Sequence, residues 1–425
     1  MKSSLHPIPS VIPQSVHMAE SEAAELSCRR RRRSSPAAFT SLPDDEGMLR
    51  EILLRLPPQP SSLPRASAVC KRWRRLVTDP KFIARFRAHH RKRPLLGVFQ
   101  HGDQDMVFTP ILDPPDRIPP RRFNLRICDG RGYLGAQLLG CRHGRVLAID
   151  QVRAEVVLFD PITGEQRRLP VPLPPGFQIR TVRYLNGAVV CAAGDQGHVH
   201  GSCRSSPFKV VLVFMDSPDG RPRASVYSSE TGMWGDLISA EAPSPVSCGG
   251  SASILIGNVL YWPLSFMMDD ILEFDLDRQR LDVIKGPPGM DATQRHQIIQ
   301  AEDGALGVAL FTGINIQMFQ RKVNCQGVAT WLLWKIVHSH HSLGILPNIK
   351  RKRGWLGKFL GYDEYTNAMF LFAVDSVYMV QLKSLHSKKL YETSYSNAKP
   401  CHAFSSFYTP GTAITGDGAE MLHDS

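Results

Sequence analysis

The sequence has no uninterrupted apolar run close to the roughly 20 residues that a membrane-spanning helix needs. Its nine cysteines are scattered and include no C-x-x-C pair, which argues against a zinc ribbon and against a disulfide scaffold. The N-terminus lacks a compact hydrophobic stretch followed by a small-residue cleavage site, so we expect no secretory signal. These absences predict reduced thiols, no membrane association, and localisation in the nucleus and/or cytoplasm.

Catalytic patterns are also missing. There is no G-x-S-x-G elbow, and the glycine pairs lack the strand-to-helix context of a phosphate-binding loop. Two histidine-rich stretches, His198–Cys203 and His338–His341, lack the second ligand pair of a structural zinc site, so we interpret them as loops. We therefore predict no catalytic residue, no metal site and no cofactor. A propeller enzyme with a metal or clustered acids in its channel is the alternative.

Positive charge is concentrated in one part of the chain. The formal net charge is +12, and residues Arg29 to Arg93 contain 18 Lys/Arg against 5 Asp/Glu, whereas the chain from Pro94 onward is nearly neutral. Nucleic-acid binding is one interpretation. We favour solvated helix faces, complementarity to an acidic partner, and nuclear-import signals or exposed basic loops at Arg29–Arg33 and Lys350–Arg353.

Residues Ser41 to Phe86 predict three short amphipathic helices. Asp44 and Asp45 suit the start of the first helix, and Pro57-Pro58 ends it. The second begins at Ser61 or Ser62, and the third at Asp79-Pro80, an N-cap residue followed by proline. Apolar residues at helical spacing define one face of each: Met48, Leu49, Ile52, Leu53 and Leu56; Ala66, Val69, Cys70, Trp73 and Leu76; Phe82 and Phe86. Because so small a helical unit buries little surface, its apolar faces need a partner.

Three phrases of this stretch, Leu42-Pro43, EILLRLP from Glu51 and VCKRWRRLV from Val69, closely resemble the F-box motif. The resemblance implies docking on the small adaptor subunit, and through it a cullin, of an SCF-type (cullin-RING) ubiquitin ligase. Carried over by position, the adaptor-facing residues are Leu42, Pro43, Ile52, Leu53, Leu56, Pro57, Leu63, Val69, Cys70 and Trp73. Gly47, Pro64 and Ala68 depart from the motif and predict weaker binding, since glycine alone costs about 1 kcal/mol inside a helix.

From Leu95 to about Pro410 the pattern changes to short apolar segments separated by Gly, Pro, Asp and Asn, which is typical of an all-β domain. A strand-turn-strand pattern recurs at intervals of tens of residues, for example in Val146–Asp150 followed by Val156–Asp160. Such repeats favour a propeller of six or seven degenerate blades, and a pair of β-sandwiches stays open. The phrase DPITGEQRRLP from Asp160, with the run from Gly357 onward, resembles the F-box-associated β-propeller of the large plant F-box families.

The predicted fold class is α+β multidomain, with a small all-α F-box domain before an all-β propeller. The boundaries are a disordered basic leader at 1–40, the F-box domain at 41–93, the propeller at 94–410 and a disordered tail at 411–425. The resemblance implies a non-catalytic substrate receptor that holds an unknown target protein near a ubiquitin-charged enzyme. The alternative function is a propeller scaffold whose weakened F-box does not engage a ligase.

Overall fold

The computed structural model describes most of the chain from Asp45 to Tyr408. The described residues are 45–102, 106–123, 125, 127, 136–173, 184–193, 200, 203, 206–215, 221–240, 251–264, 270–290, 296–312, 315–338 and 357–408. The predicted leader and tail and both basic runs lie outside these ranges. The chain divides into two units, residues 1–46 and 47–425, and the first is described only at Asp45 and Glu46.

The helical region, which we define as residues 45–93, contains four described helices where the sequence predicted three. They are α1 (Glu46–Leu54), α2 (Ser62–Val69), α3 (Lys71–Thr78) and α4 (Pro80–His90). The predicted second helix is interrupted at Cys70, which has an extended backbone with φ −163° and ψ 169°. Because the chain turns there, Ala66 of α2 and Leu76 of α3 pack into the same small core instead of lying along one straight rod. Among the described residues, no helix has the length and hydrophobicity needed to cross a lipid bilayer.

The predicted start of α4 is confirmed. The Asp79 side chain accepts a hydrogen bond from the backbone N–H of Lys81 at 3.1 Å, and Pro80 is the first helical residue, where it costs no hydrogen bond. Phe82 and Phe86 both point into the helical core, with ring centroids 6.2 Å apart. The buried members of this core come from all four helices: Leu49, Leu53, Leu54, Leu63, Ala66, Leu76, Val77, Phe82 and Phe86.

The β domain consists of 24 described strands and one short 3-10 helix at Pro120–Phe123. The strands are β1 (Leu95–His101), β2 (Met106–Pro110), β3 (Ala136–Arg142), β4 (Arg145–Asp150), β5 (Glu155–Phe159), β6 (Gln166–Pro170), β7 (Tyr184–Cys191), β8 (Phe208–Met215), β9 (Pro222–Ser228), β10 (Met233–Trp234), β11 (Ile238–Ser239), β12 (Ile254–Ile256), β13 (Val259–Pro263), β14 (Asp270–Asp275), β15 (Arg280–Lys285), β16 (His296–Gln300), β17 (Leu306–Thr312), β18 (Asn315–Val323), β19 (Ala329–His338), β20 (Lys358–Asp363), β21 (Ala368–Ala373), β22 (Ser376–Gln381), β23 (Ser387–Glu392) and β24 (His402–Ser405).

These strands form six antiparallel sheets, which are the blades of a six-bladed β-propeller. Blade 1 contains β24, β1 and β2; blade 2 contains β3–β6; blade 3 contains β7–β11; blade 4 contains β12–β15; blade 5 contains β16–β19; and blade 6 contains β20–β23. The sequence left six or seven blades and a sandwich pair open, and the sheet pairing decides for six blades.

The ring is closed by the two ends of the β domain. β24, near the end of the domain, pairs antiparallel with β1 at its beginning, with Phe99 opposite His402 and Val98 opposite Ala403. Blade 1 is therefore built from both ends of the β domain. The six sheets of the domain form one closed ring. A closed ring leaves only short outer edges, which limits edge-to-edge aggregation.

The apolar core of the propeller lies between neighbouring blades. One cluster joins blades 2 and 3 through residues such as Leu147, Leu158 and Val210, and another joins blades 6 and 1 through Leu95 and Phe370. Every residue of β4 is buried, because both faces of this strand are covered by adjacent sheets. Each blade therefore depends on its neighbours for burial, as the recurring short meanders predicted.

Aspartates at strand ends explain the recurring Asp in the repeat phrase. Asp150 Oδ1 accepts hydrogen bonds from the N–H groups of Val152 and Arg153, at 3.1 and 3.0 Å. Asp160 and Asp275 make the same two bonds to the residues two and three positions onward. Such side-chain turns end one strand and start the next. The sequence repeat therefore reflects two features: the alternation of apolar segments and the aspartates that form the turns between strands.

Candidate partner-binding surfaces

The helical region exposes several apolar side chains. Met48, Ile52 and Val69 have exposed fractions of 52%, 42% and 55%, and Cys70 beside Val69 is also exposed. We call these four residues the helical apolar surface. Removing apolar area from water contributes about 25 cal/mol per Å². These are therefore positions where the helical region gains most by binding a partner.

Helix geometry explains why α1 has both buried and exposed apolar residues. The apolar residues from Met48 to Leu56 were predicted to share one face. At about 100° per residue, they spread over an arc of about 140° around the helix axis. The small core covers only one side of that arc, at Leu49 and Leu53, while Met48 and Ile52 on the other side remain exposed. The wide apolar face is thus shared between the core and the surface.

Two of the ten predicted adaptor-binding residues lie outside the described residues, and the other eight fall into three environments. Leu42 and Pro43 lie outside the described residues; Ile52, Pro57, Val69 and Cys70 are exposed; Leu56 and Trp73 are half-buried against the helical core; Leu53 and Leu63 are buried, with exposed fractions of 0% and 4%. Leu53 and Leu63 are covered by their own chain, so they hold the helices together and position Ile52 and Val69. Met48 is exposed as well, although the prediction did not include it.

The three departures from the F-box motif do not prevent helix formation. Gly47 is the second residue of α1, in its first turn, and not in the helix interior. Pro64 is the third residue of α2, where the backbone N–H has no partner within the helix in any case. Ala68 is exposed, so its small side chain leaves no cavity in the core. What these residues reduce is the apolar area offered to a partner.

Helix α3 adds positive charge beside the helical apolar surface. Its sequence, KRWRRLVT, contains no acidic residue, and Lys71, Arg74 and Arg75 are exposed. The nearby Glu51 of α1 is paired with Arg85 of α4 at 2.5 Å. This arrangement fits a partner that carries acidic groups around an apolar centre.

The helical region is fastened to the propeller by polar, cationic and apolar contacts. The Ser61 N–H donates to Asp116 Oδ1 at 2.9 Å, and the Arg93 guanidinium lies 4.0 Å from the ring centroid of Tyr365. A small cavity between them is lined by apolar side chains of α2, α4 and the end of the β domain, including Leu63, Phe86, Phe407 and Tyr408. These contacts hold the helical apolar surface in a defined direction relative to the propeller.

A cleft of about 430 Å³ opens between blades 2 and 3. Its lining combines apolar and charged groups: Arg145, Leu158, Asp160, Glu165, Arg167, Ser206, Pro207, Phe208, Ser229 and Glu230. The Arg145 and Arg167 guanidinium groups lie 4.7 and 5.7 Å from the ring centroid of Phe208. Burial lowers the pKa of the Arg145 guanidinium. An aromatic floor flanked by both charge signs can hold a side chain and orient it.

A second cleft, of about 520 Å³, lies between blades 5 and 6 and includes Trp334 and Lys335. The adjoining outermost strand of blade 5, β19, exposes Leu332, Leu333 and Ile336. Among the described strands, β19 pairs only with β18. β19 therefore gives the propeller an exposed apolar surface of its own. A substitution on this strand can serve as a control for substitutions on the helical apolar surface.

One group of described residues could hold a metal ion. Ligand atoms of His143, His200 and Cys203 lie within 4.8 Å of one another. Sequence inspection considered His200 and Cys203 but did not connect them with His143, which is 57 positions before His200.

The chain is similar to several solved structures at low sequence identity. The chain is similar to a chain of a nidogen/laminin complex, with 9% identity over 72% of this chain and 95% of that chain and a TM-score of 0.37. It is also similar to regucalcin, a calcium-binding protein from Agrobacterium tumefaciens, with 11% identity over 62% and 76% and a TM-score of 0.32. A luciferin-regenerating enzyme is 12% identical over 74% and 96%, with a TM-score of 0.33. No curated protein matches the chain.

Two protein families match. Residues 39–85 match the F-box domain, which covers α1, α2, α3 and the first half of α4. Residues 137–404 match the family described as "F-box protein AT5G49610-like, beta-propeller", which covers β3 to β24 and more than half of the chain. The resemblance noted in the sequence is therefore confirmed: the chain belongs to the F-box proteins with an AT5G49610-like β-propeller.

Proposed function

We propose that this protein is the substrate-recognition subunit of an SCF-type (cullin-RING) E3 ubiquitin ligase. The observation that carries the proposal is the helical apolar surface, because it leaves Met48, Ile52 and Val69 exposed within an F-box domain. The basic residues of α3 supply charge complementarity to an acidic adaptor subunit. Leu53 and Leu63 support this surface from the core, and the exposed residues make the contact.

No residue of this chain performs chemistry in the proposed role. The receptor binds a target protein and holds a target lysine near a ubiquitin-charged enzyme, which raises the effective concentration of the reacting groups. The anchoring of the helical region by Asp116 and Tyr365 suits this role, since a fixed geometry keeps the target within reach. Such a ligase subunit would act in the nucleus and/or the cytoplasm.

The cleft between blades 2 and 3 is the proposed target-binding position on the propeller. It combines Phe208 with the cations of Arg145 and Arg167 and with the carboxylates of Asp160, Glu165 and Glu230. Recognition by side chains at the ends of strands on a rigid scaffold is common. A target segment that presents an apolar side chain next to an acidic one would satisfy this lining.

The test is co-expression with the adaptor subunit, followed by a measured Kd. We expect wild type to bind, and Ile52→Asp and Val69→Asp each to weaken binding at least tenfold, which is about 1.4 kcal/mol, because each places a charge at an apolar contact. These positions are better probes than Leu53, since a charge at a fully buried residue would unfold the helices. Circular dichroism checks that the variants retain their fold.

Leu332→Asp on β19 is the matched control, because it removes exposed apolar surface of similar extent from the propeller. Adaptor binding by this variant should equal that of wild type. If folded wild type fails to bind the adaptor, or if Leu332→Asp weakens binding as much as Ile52→Asp, the proposed docking surface is wrong.

The alternative is a propeller scaffold that does not engage a ligase. It is favoured by the small exposed side chain of Ala68 and by the burial of Leu53 and Leu63, which together reduce the apolar area available to an adaptor. Absence of adaptor binding at micromolar concentration by a folded protein would support the scaffold. Binding to nucleic acid that falls steeply with salt would instead support the interpretation of the basic run as a phosphate-binding segment.

A further inference from the structure

Three potential metal ligands, His143, His200 and Cys203, meet between blades 2 and 3, and a fourth, Cys191, lies beside them. His143 lies in the turn between β3 and β4, and Cys191 is the last residue of β7. His200 and Cys203 come from the segment that leads into β8. Two cysteines and two histidines are the donor set of many structural zinc sites.

The distances among three of the ligands suit a tetrahedral metal ion. Ligand atoms of His143, His200 and Cys203 all lie within 4.8 Å of one another. The Cys203 Sγ to His200 Nδ1 distance is 3.7 Å. With Zn–S of about 2.3 Å and Zn–N of about 2.1 Å at a tetrahedral angle, the corresponding separation is about 3.6 Å. The Cys191 thiol hydrogen-bonds to the Cys203 thiol and to the His200 ring, but it is not among the atoms that lie within 4.8 Å of one another. A small movement of its side chain would bring it to the fourth position.

The residues around the cluster bury two of its ligands and orient the His143 ring, as the surroundings of metal sites do. His143 and Cys203 are buried, and the His143 and His200 rings lie 4.5 Å apart. His143 Nδ1 is 3.3 Å from the Tyr365 hydroxyl, so the other ring nitrogen, Nε2, is left for a ligand. A hydrogen bond from the second nitrogen fixes the tautomer and the orientation of a metal-bound histidine.

The segment that carries two of the ligands is also held from blade 2. Arg145 Nη2 donates to the backbone carbonyls of Ser206, at 3.1 Å, and of Cys203. Ser206 and Phe208 form one wall of the cleft between blades 2 and 3. A metal ion at the four ligands would therefore fix that wall of the cleft.

We propose that His143, Cys191, His200 and Cys203 form a structural Zn²⁺ site that joins blades 2 and 3. Zinc is favoured because it accepts mixed nitrogen and sulfur ligands in tetrahedral geometry without redox chemistry. With Cys191 as the fourth ligand, protein would fill all four positions, so the proposed site is structural and leaves no coordination position for a substrate. The inference does not depend on adaptor binding.

The test measures zinc in the purified full-length protein by inductively coupled plasma mass spectrometry after extensive dialysis. We expect one Zn²⁺ per chain in wild type and loss of zinc in the double variant Cys191→Ser, Cys203→Ser. Cys325→Ser is the matched control, because Cys325 is an exposed cysteine outside the cluster and its variant should retain the metal. Folded wild type without zinc, or zinc content equal in the double variant and wild type, would overturn the proposal.

A second measurement does not depend on the folding of a variant. Replacement of Zn²⁺ by Co²⁺ in wild type should give a sulfur-to-cobalt charge-transfer band and the visible bands of tetrahedral cobalt, both reversed by added zinc. Spectra typical of octahedral cobalt would contradict the site. A peptide pair linked by a Cys191–Cys203 disulfide, found without reduction by mass spectrometry of wild type, would contradict it as well, since oxidised sulfurs cannot be the thiolate ligands.

Discussion

Arg142 and Glu364, 222 positions apart in the chain, form a bidentate ion pair. Arg142 Nε donates to Glu364 Oε1 at 2.6 Å and Nη2 donates to Oε2 at 2.9 Å, and the two side chains are 5% and 12% exposed. Arg142 also donates to the carbonyl of Ser253, and Glu364 Oε2 accepts from the N–H of Leu255. The pair therefore ties blades 2, 4 and 6 together across the ring.

Glu364→Ala should destabilise the propeller by about 3–5 kcal/mol, because it leaves the Arg142 charge buried without its partner. The measurement is the urea midpoint of unfolding followed by tryptophan fluorescence. Asp282→Asn is the control, since it breaks an exposed ion pair with Arg280 within β15, and such pairs contribute little. Equal effects of the two substitutions would mean that the buried pair has no special role in joining the blades.

Leu53→Ala should destabilise the helical region by about 2–5 kcal/mol, because Leu53 is fully buried and truncation leaves a cavity. Ile52→Ala, one position along the same helix, should change stability by less than about 0.5 kcal/mol, because its side chain is exposed. Hydrogen exchange of the α1 amides distinguishes the two. The assignment of Leu53 to the core would be wrong if both variants exchanged at the wild-type rate.

Gly361→Ala should destabilise the contact between blade 6 and the strand that closes the ring. An added Cβ at Gly361 would lie 2.1 Å from the backbone carbonyl oxygen of Cys401, which requires movement of the backbone. Overpacking of this kind costs about 1–3 kcal/mol or more. Thermal unfolding monitored by circular dichroism measures the loss.

Gly140→Ala is the matched control, because Gly140 also follows a register shift in an inner strand, β3, but its added Cβ would meet only Ala252 at 3.6 Å. We expect no loss of stability for Gly140→Ala. A gain of up to about 1 kcal/mol is expected instead, because alanine leaves the unfolded chain less conformational freedom than glycine does. A lower melting temperature for this variant than for Gly361→Ala would contradict the packing argument.

The stability of the propeller should fall with pH as His402 is protonated. Burial lowers the pKa of His402 to about 4, from 6.5 in an exposed histidine, and the Nδ1 atom has no hydrogen-bond partner among the described residues. Because the unfolded chain binds the proton more readily, the contribution is complete above pH 6.5 and is lost as pH falls from 6.5 to 4. Its size is about 3 kcal/mol.

The check compares wild type with His402→Leu in urea titrations between pH 7.5 and pH 4. Wild type should lose about 3 kcal/mol of stability relative to the leucine variant as pH falls, since the leucine variant lacks this proton-binding group. His386→Gln, at an exposed position, should follow the wild-type curve. Parallel curves for wild type and His402→Leu would show that His402 does not titrate in this range.

Reversal of charge on α3 should slow association with the adaptor. Lys71→Glu with Arg74→Glu removes exposed positive charge beside Val69, so the association rate should fall at low salt and the difference should shrink as salt is added. Stopped-flow or surface-based kinetics provide the rates. Arg278→Glu, at an exposed turn of blade 4, should leave the rate unchanged. A rate insensitive to the α3 substitutions would remove the electrostatic part of the proposal.

Local signals were predictable from sequence because each depends on residues a few positions apart. Asp79-Pro80 marked the start of α4, the strand-end aspartates marked turns, and the F-box motif identified the domain. The blade count was not predictable, since β24 pairs with β1 across the whole β domain and no short window contains that pairing.

The candidate sites show the same division. The sequence by itself determined that α1 has an apolar face, but only tertiary packing decided that Leu53 is covered while Ile52 is exposed. Likewise, the sequence placed His200 near Cys203, whereas the neighbouring blade brings His143 to them. The physical reason is that burial and ligand geometry depend on distances in space, which a closed ring sets between residues that the chain keeps far apart.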